Sequence, residues 1–178
     1  MIFVDTGVFV IDLRYRRDRD YAVNRRFLDQ IAMSGNGVTG LINLLEVCGI
    51  LSFNCSPQQL RELFCHFGQR YRILVIPGAS EQARAPSFPS SDLLAKMAGK
   101  MAIKDAEIAL LIERFVPKAQ YLVTWNKKHF AGKVPCPVLT PDEHLARPPL
   151  SLINDVEPTY RSRRRRAIVR GRAVPPKR

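Results

Sequence analysis

Ile2-Phe3-Val4-Asp5-Thr6 is a β-rich apolar run that ends on a carboxylate. Two more acids stand in apolar surroundings: Glu46 in Leu44-Leu45-Glu46-Val47-Cys48, and Asp105 in Ile103-Lys104-Asp105-Ala106-Glu107-Ile108-Ala109. A carboxylate inside an apolar run must be paired, neutralised or bound to a cation, because an unpaired charge is too costly to remove from water. Three of them, far apart in a chain of 178 residues, point to one shared site that holds a metal.

The segments around these acids predict an alternation of strands and helices. After the strand Ile2-Phe3-Val4, helical spacing runs from about Asp20 to Met33 through Ala22, Val23, Phe27, Leu28 and Ile31. Gly35-Asn36-Gly37 is a turn signal, Val38-Thr39 a short strand, and Leu41 to Phe53 a buried helix. Ser56-Pro57 caps and opens a helix to about Tyr71, and Arg72 to Pro77 reads as a strand. A polar, Pro/Ser-rich stretch from Gly78 leads to a helix capped by Ser91 or Asp92. A helix from Ile103 to Phe115, a strand Tyr121 to Thr124 and a strand Pro137-Val138-Leu139 complete the pattern. It predicts an α/β domain with a mostly parallel sheet between helical layers. Ligands of such sheets bind at the carboxyl ends of the strands, where Asp5 and Asn126 fall.

Length and 46% hydrophobic residues suit one core, and the chain divides by composition. Nine of the 28 Lys and Arg lie in residues 161–178, which contain no acid, so residues 1–160 carry only +3 of the net +12. The expected organisation is a domain over 1–146, a connecting segment over 147–160 and a basic, disordered tail over 161–178. That tail is either a phosphate-binding arm or a solvated extension. The opening residues show no basic leader, and the longest apolar run, Leu41 to Phe53, is too short to span a bilayer, so a cytoplasmic protein is expected. Cys48, Cys55, Cys65 and Cys136 lack Cys-x-x-Cys spacing and read as free thiols; no zinc site is expected.

Phe3-Val4-Asp5-Thr6, Leu44-Leu45-Glu46-Val47-Cys48-Gly49, Lys104 to Ala109 and Leu122-Val123-Thr124-Trp125-Asn126-Lys127-Lys128-His129-Phe130 occur in an order and spacing that resembles a PIN domain. This is the ribonuclease fold of VapC-type toxins. The resemblance covers residues 1–146 and implies a three-layer α/β/α fold. It places Asp5, Glu46 and Asp105 as acidic ligands of Mg2+ or Mn2+, Asn126 at a fourth position that is often Asp, and Thr6 and Thr124 in support. An amide brings no charge and cannot serve as a general base, which leaves occupancy by a second metal open. The implied activity is metal-dependent hydrolysis of RNA phosphodiester bonds, giving a 5′-phosphate and a 3′-hydroxyl. The implied partners are an RNA substrate, a small antitoxin that occludes the acids, and a second copy in a homodimer, for which helices around Phe27 or Phe64 are candidate surfaces.

Each residue also has a plainer reading. Asp5 can cap the structure after its strand and Asp105 the start of its helix, Glu46 can pair with a buried base, and Trp125 can pack rather than stack on a base. Lys104, Lys127 and Lys128 flank the site and are expected to contact substrate phosphates if they are not simply solvated. A noncatalytic RNA-binding PIN-like module with a decayed metal site is the alternative function. A phosphatase with Asp5 as nucleophile lacks a second aspartate at position 7, which is Gly7.

Overall fold

Strand β1 (Ile2–Val4) divides its side chains between two cores. Ile2 and Val4 join one hydrophobic cluster and Phe3 the other, as the two-residue period of a strand requires. The computed structural model describes residues 1–80 and 82–147; the expected connecting segment beyond residue 147 and the basic tail 161–178 lie outside the described residues. The elements that follow β1 are α1 (Thr6–Arg14), α2 (Tyr21–Ser34), β2 (Gly37–Gly40), α3 (Leu41–Leu51), α4 (Pro57–Tyr71), β3 (Leu74–Ile76), α5 (Ser90–Ala98), α6 (Ile103–Phe115), β4 (Tyr121–Val123), α7 (Lys127–Phe130), β5 (Val138–Leu139) and α8 (Pro141–Leu145).

Among the described residues the strands form one parallel sheet in the order β3-β2-β1-β4-β5. One core lies on the side of α1, α2 and α4, built on Val8, Phe9, Phe27, Leu28, Ile31 and Phe67. The other lies on the side of α6, with Ala109, Leu111 and Ile112 packed on Phe3, Val38 and Leu122. This is the α/β, PIN-like sandwich with a parallel central sheet. The chain builds outward from β1 to β2 and β3, then returns to add β4 and β5 on the other side. Strand order therefore reverses between β1 and β4, where parallel sheets open a crevice at their carboxyl ends.

Four elements differ from the sequence expectations, one of them α7, a single turn after β4 where no helix is expected. Helix α1 begins directly after Asp5, although Val8, Phe9, Val10 and Ile11 are β-branched or aromatic and weaken a helix. Burial of Val8, Phe9 and Val10 outweighs that preference. Helix α5 is preceded by Pro89 rather than capped by Ser91 or Asp92. Short helix α8 is closed by a capping box in which Thr140 accepts from the Glu143 N–H and Glu143 accepts from the Thr140 N–H. Phe27 is fully buried and Phe64 is partly buried against the same core. The four cysteines are free thiols, with Cys65 exposed.

Helices α1, α2 and α4 are tied by buried Asp12, which accepts from the Tyr71 hydroxyl at 2.8 Å and from Arg25 at 3.3 Å. Phe9, Phe67 and Tyr71 pack around that bond with ring centroids 4.8–5.0 Å apart. Tyr71→Phe keeps the ring but strips one donor from a buried carboxylate, and is expected to lower unfolding free energy by about 1.5–3 kcal/mol in urea titration.

Candidate active site

Asp5 occupies the N-cap position of α1 yet makes no capping bond with its side chain. Its carboxylate turns into the crevice between β1 and β4, where Oδ2 accepts from the Thr124 hydroxyl at 2.7 Å and Oδ1 lies 3.4 Å from the Asn43 amide. The backbone closes the same crevice, with the Asp5 N–H donating to the Val123 carbonyl at 3.0 Å. Only 7% of Asp5 is exposed. Burial pushes its pKa from 3.8 up to about 6; the bonds from Thr124 and the Thr6 backbone oppose that rise, and the charges of Glu46 and Asp105 add to it. Glu46 on α3 and Asp105 on α6 are thus near enough for their charges to act on Asp5.

Glu46 is half-buried and accepts from the Thr6 hydroxyl at 2.7 Å rather than joining a salt bridge of the kind considered for it. Thr6 in turn accepts from Asn43 Nδ2 at 3.0 Å. Because the amide already donates to that oxygen, the Thr6 proton is directed to Glu46, and Asn43 sets the polarity of the chain. Asn43 is fully buried and its Oδ1 has no partner. It lies three residues before Glu46 on α3, so both share a helix face.

Asp105 stands in the first turn of α6, where the helix dipole favours an anion, and its Oδ2 lies 2.9 Å from His129 Nδ1. Asn126 is exposed just beyond β4; its N–H donates to Thr124 at 2.9 Å and its side chain meets His129 at 3.2 Å. Asn43 and His129 were not singled out from the sequence. The signal for the first was a lone polar residue one helical turn before Glu46; for the second, a histidine three residues after Asn126.

Two of the three flanking lysines are already engaged. Lys104 pairs with Glu107 at 3.2 Å, and Lys127 holds Glu143 at 2.6 Å, while Lys128 is exposed. Trp125 is half-buried, with its indole donating to Asn24 at 2.8 Å, an arrangement that serves packing.

Among the described residues no group of three or more His, Cys, Asp and Glu side chains is close enough to hold a metal ion by direct ligation. Glu46 is turned to Thr6 and Asp105 to His129. The donor chemistry nevertheless suits a hard ion that keeps several waters and takes one or two carboxylates, as Mg2+ does. Asp5 offers a buried carboxylate whose Oδ1 has only the long contact to Asn43, and its raised pKa shows a charge short of compensation. No helix among the described residues is long and apolar enough to cross a membrane.

No protein-family profile matches the chain, and no curated protein matches it in sequence. Among solved structures it is similar to FitAB bound to an IR36 DNA fragment, at 19% identity and a TM-score of 0.51 over 79% of this chain and 95% of that one. It is also similar to FitAcB from Neisseria gonorrhoeae, at 17% identity and a TM-score of 0.52 over 79% of this chain and 98% of that one. VapBC2 from Rickettsia felis, bound to a DNA fragment from their promoter, matches at 22% identity and a TM-score of 0.50 over 78% of this chain and 97% of that one. The likeness is one of fold.

Proposed function

We propose that this chain is a divalent-metal-dependent endoribonuclease and the toxin of a toxin–antitoxin pair. The observation that carries the reading is the buried Asp5 carboxylate, raised in pKa by burial and further by Glu46 and Asp105, at the reversal point of a parallel sheet. Its fold likeness to FitAB, FitAcB and VapBC2 supports the biological half, and with it a cognate antitoxin; a homodimer is part of the same proposal.

Asp5 and Asp105 would hold Mg2+ or Mn2+, with Glu46 acting through water. When bound, such an ion neutralises charge at the phosphate oxygens and lowers the pKa of water. Thr124 and Asn43 fix the Asp5 carboxylate, and Thr6 holds Glu46 where it can orient a water or accept its proton. Asn126 contributes through its amide alone. Lys128 and, once released from their carboxylates, Lys104 and Lys127 would meet phosphates.

The test is cleavage of labelled total RNA and a structured transfer RNA in Mg2+, in Mn2+ and in EDTA, beside Asp5→Ala. Discrete metal-dependent fragments absent from the variant are expected. The uncharged amide of Asn126, which brings no charge to a cation, favours the second reading, a noncatalytic RNA-binding module. That reading requires RNA to bind equally well in EDTA and to remain uncut under every condition.

A further inference from the structure

Helix α7 is four residues long but fixed at both ends. Phe130 is buried in the α6-side core, the His129 N–H donates to the Asn126 carbonyl at 2.9 Å, and the Asn126 N–H donates to Thr124. The same Thr124 hydroxyl donates to Asp5. The His129 imidazole is therefore carried on an anchored element that shares a hydroxyl with the centre of the site. Its Nδ1 lies 2.9 Å from Asp105 Oδ2 and 3.2 Å from the side-chain amide of Asn126.

An ionised carboxylate only accepts, so this contact needs a hydrogen on Nδ1. With the hydrogen there, the Asn126 atom facing the ring must be its oxygen, a choice between amide ends that the hydrogen-bond network decides. One N–H is then shared by Asp105 and Asn126. It occupies Oδ2 of Asp105 and leaves Oδ1 for another ligand.

We propose that His129 is a positioning residue, whose Nδ1–H orients Asp105, and Asn126 with it, toward a divalent ion held jointly with Asp5. The inference rests on the nuclease reading above and deepens it. A carboxylate on the first turn of a helix has free side-chain torsions, and an ion must order it on binding. An imidazole that fixes it beforehand removes part of that entropy loss, which is why partners of ligating carboxylates matter to affinity. A half-exposed contact that were merely structural would contribute little to stability and nothing to ion binding.

The experiment measures Mn2+ uptake by the purified 178-residue chain without RNA, reading free Mn2+ by electron paramagnetic resonance, and thermal unfolding in EDTA. The chains compared are wild type, His129→Ala, His129→Asn and, as a control for adventitious imidazole binding, His66→Ala, whose side chain is exposed on α4. His129→Ala is expected to weaken Mn2+ binding about 10- to 100-fold, with the midpoint in EDTA unchanged. His129→Asn sets an amide nitrogen near the place of Nδ1 and is expected to recover most of the affinity; His66→Ala should match wild type. An Ala variant that binds Mn2+ as wild type does, or an Asn variant as weak as Ala, overturns the positioning role. A wild-type chain that takes up no Mn2+ overturns the nuclease reading and this inference together, a result that no His129 variant can imitate.

Discussion

Asp5→Asn is expected to abolish metal-dependent RNA cleavage while making the protein more stable in EDTA. The two effects share one cause. Asp5 has a folded pKa of about 6 against 3.8, so below about pH 4 it is protonated in both states and carries no charge cost. Between about pH 4 and 6 the unfolded chain gives up the Asp5 proton while the folded protein still holds it, so stability falls until the folded group also ionises. The difference of about two pH units is worth roughly 3 kcal/mol, lost between about pH 4 and 6 and absent above that range. The amide removes that falling limb. Its oxygen still accepts from Thr124, the shorter of the two side-chain bonds that Asp5 makes. In EDTA at pH 7 the variant should melt roughly 6–12 °C above wild type. Adding Mn2+ should raise the midpoint of wild type and leave that of Asp5→Asn unmoved, since an ion stabilises only the state that binds it. A variant that melts below wild type in EDTA, or that still cuts RNA, defeats the assignment of Asp5.

The acids were legible because of how unfavourable they are where they sit. Asp5 closing an apolar strand and Glu46 alone among the 13 residues from Leu41 to Phe53 both mark a candidate site before any fold is known. The sheet followed from short β-rich runs spaced by helices, and the all-parallel pairing bears that out. Helix α1 was hidden because Val8, Phe9 and Val10 carry the signature of a strand, and only their burial against α2 and α4 makes them helical. The bonds inside the site were hidden for a different reason. Thr124 reaches Asp5 across 119 residues and Thr6 reaches Glu46 across 40, so these pairs exist only once the strands are in register. The pairing of Lys127 with Glu143, from the first turn of another helix, was equally beyond local pattern.

Two alanine substitutions at glycines nine residues apart are expected to act in opposite directions, and the contrast locates the tightest point of the site. Gly40 ends β2 and stands at the N-cap of α3. A Cβ there would lie 2.7 Å from Asn43 Oδ1 and 2.8 Å from Leu111 Cδ1, closer than carbon meets either atom. Leu111 is fully buried against the sheet and cannot retreat. Asn43 can move only by giving up its bonds to Thr6 and Asp5. Overpacking of this kind typically costs about 1–3 kcal/mol. Gly40→Ala should therefore lower the unfolding free energy by that amount and, by releasing Thr6 and with it Glu46, reduce RNA cleavage more than the stability loss alone explains. Gly49 lies in the third turn of the same helix, exposed, with nothing within 4 Å of an added Cβ. There alanine should stabilise by up to about 1 kcal/mol through helix propensity and leave cleavage unchanged. Urea titration gives both free energies and the RNA assay gives both rates. A Gly40→Ala protein as active as Gly49→Ala would mean that the hydrogen-bond chain from Asn43 through Thr6 to Glu46 does not hold the acid in its working position.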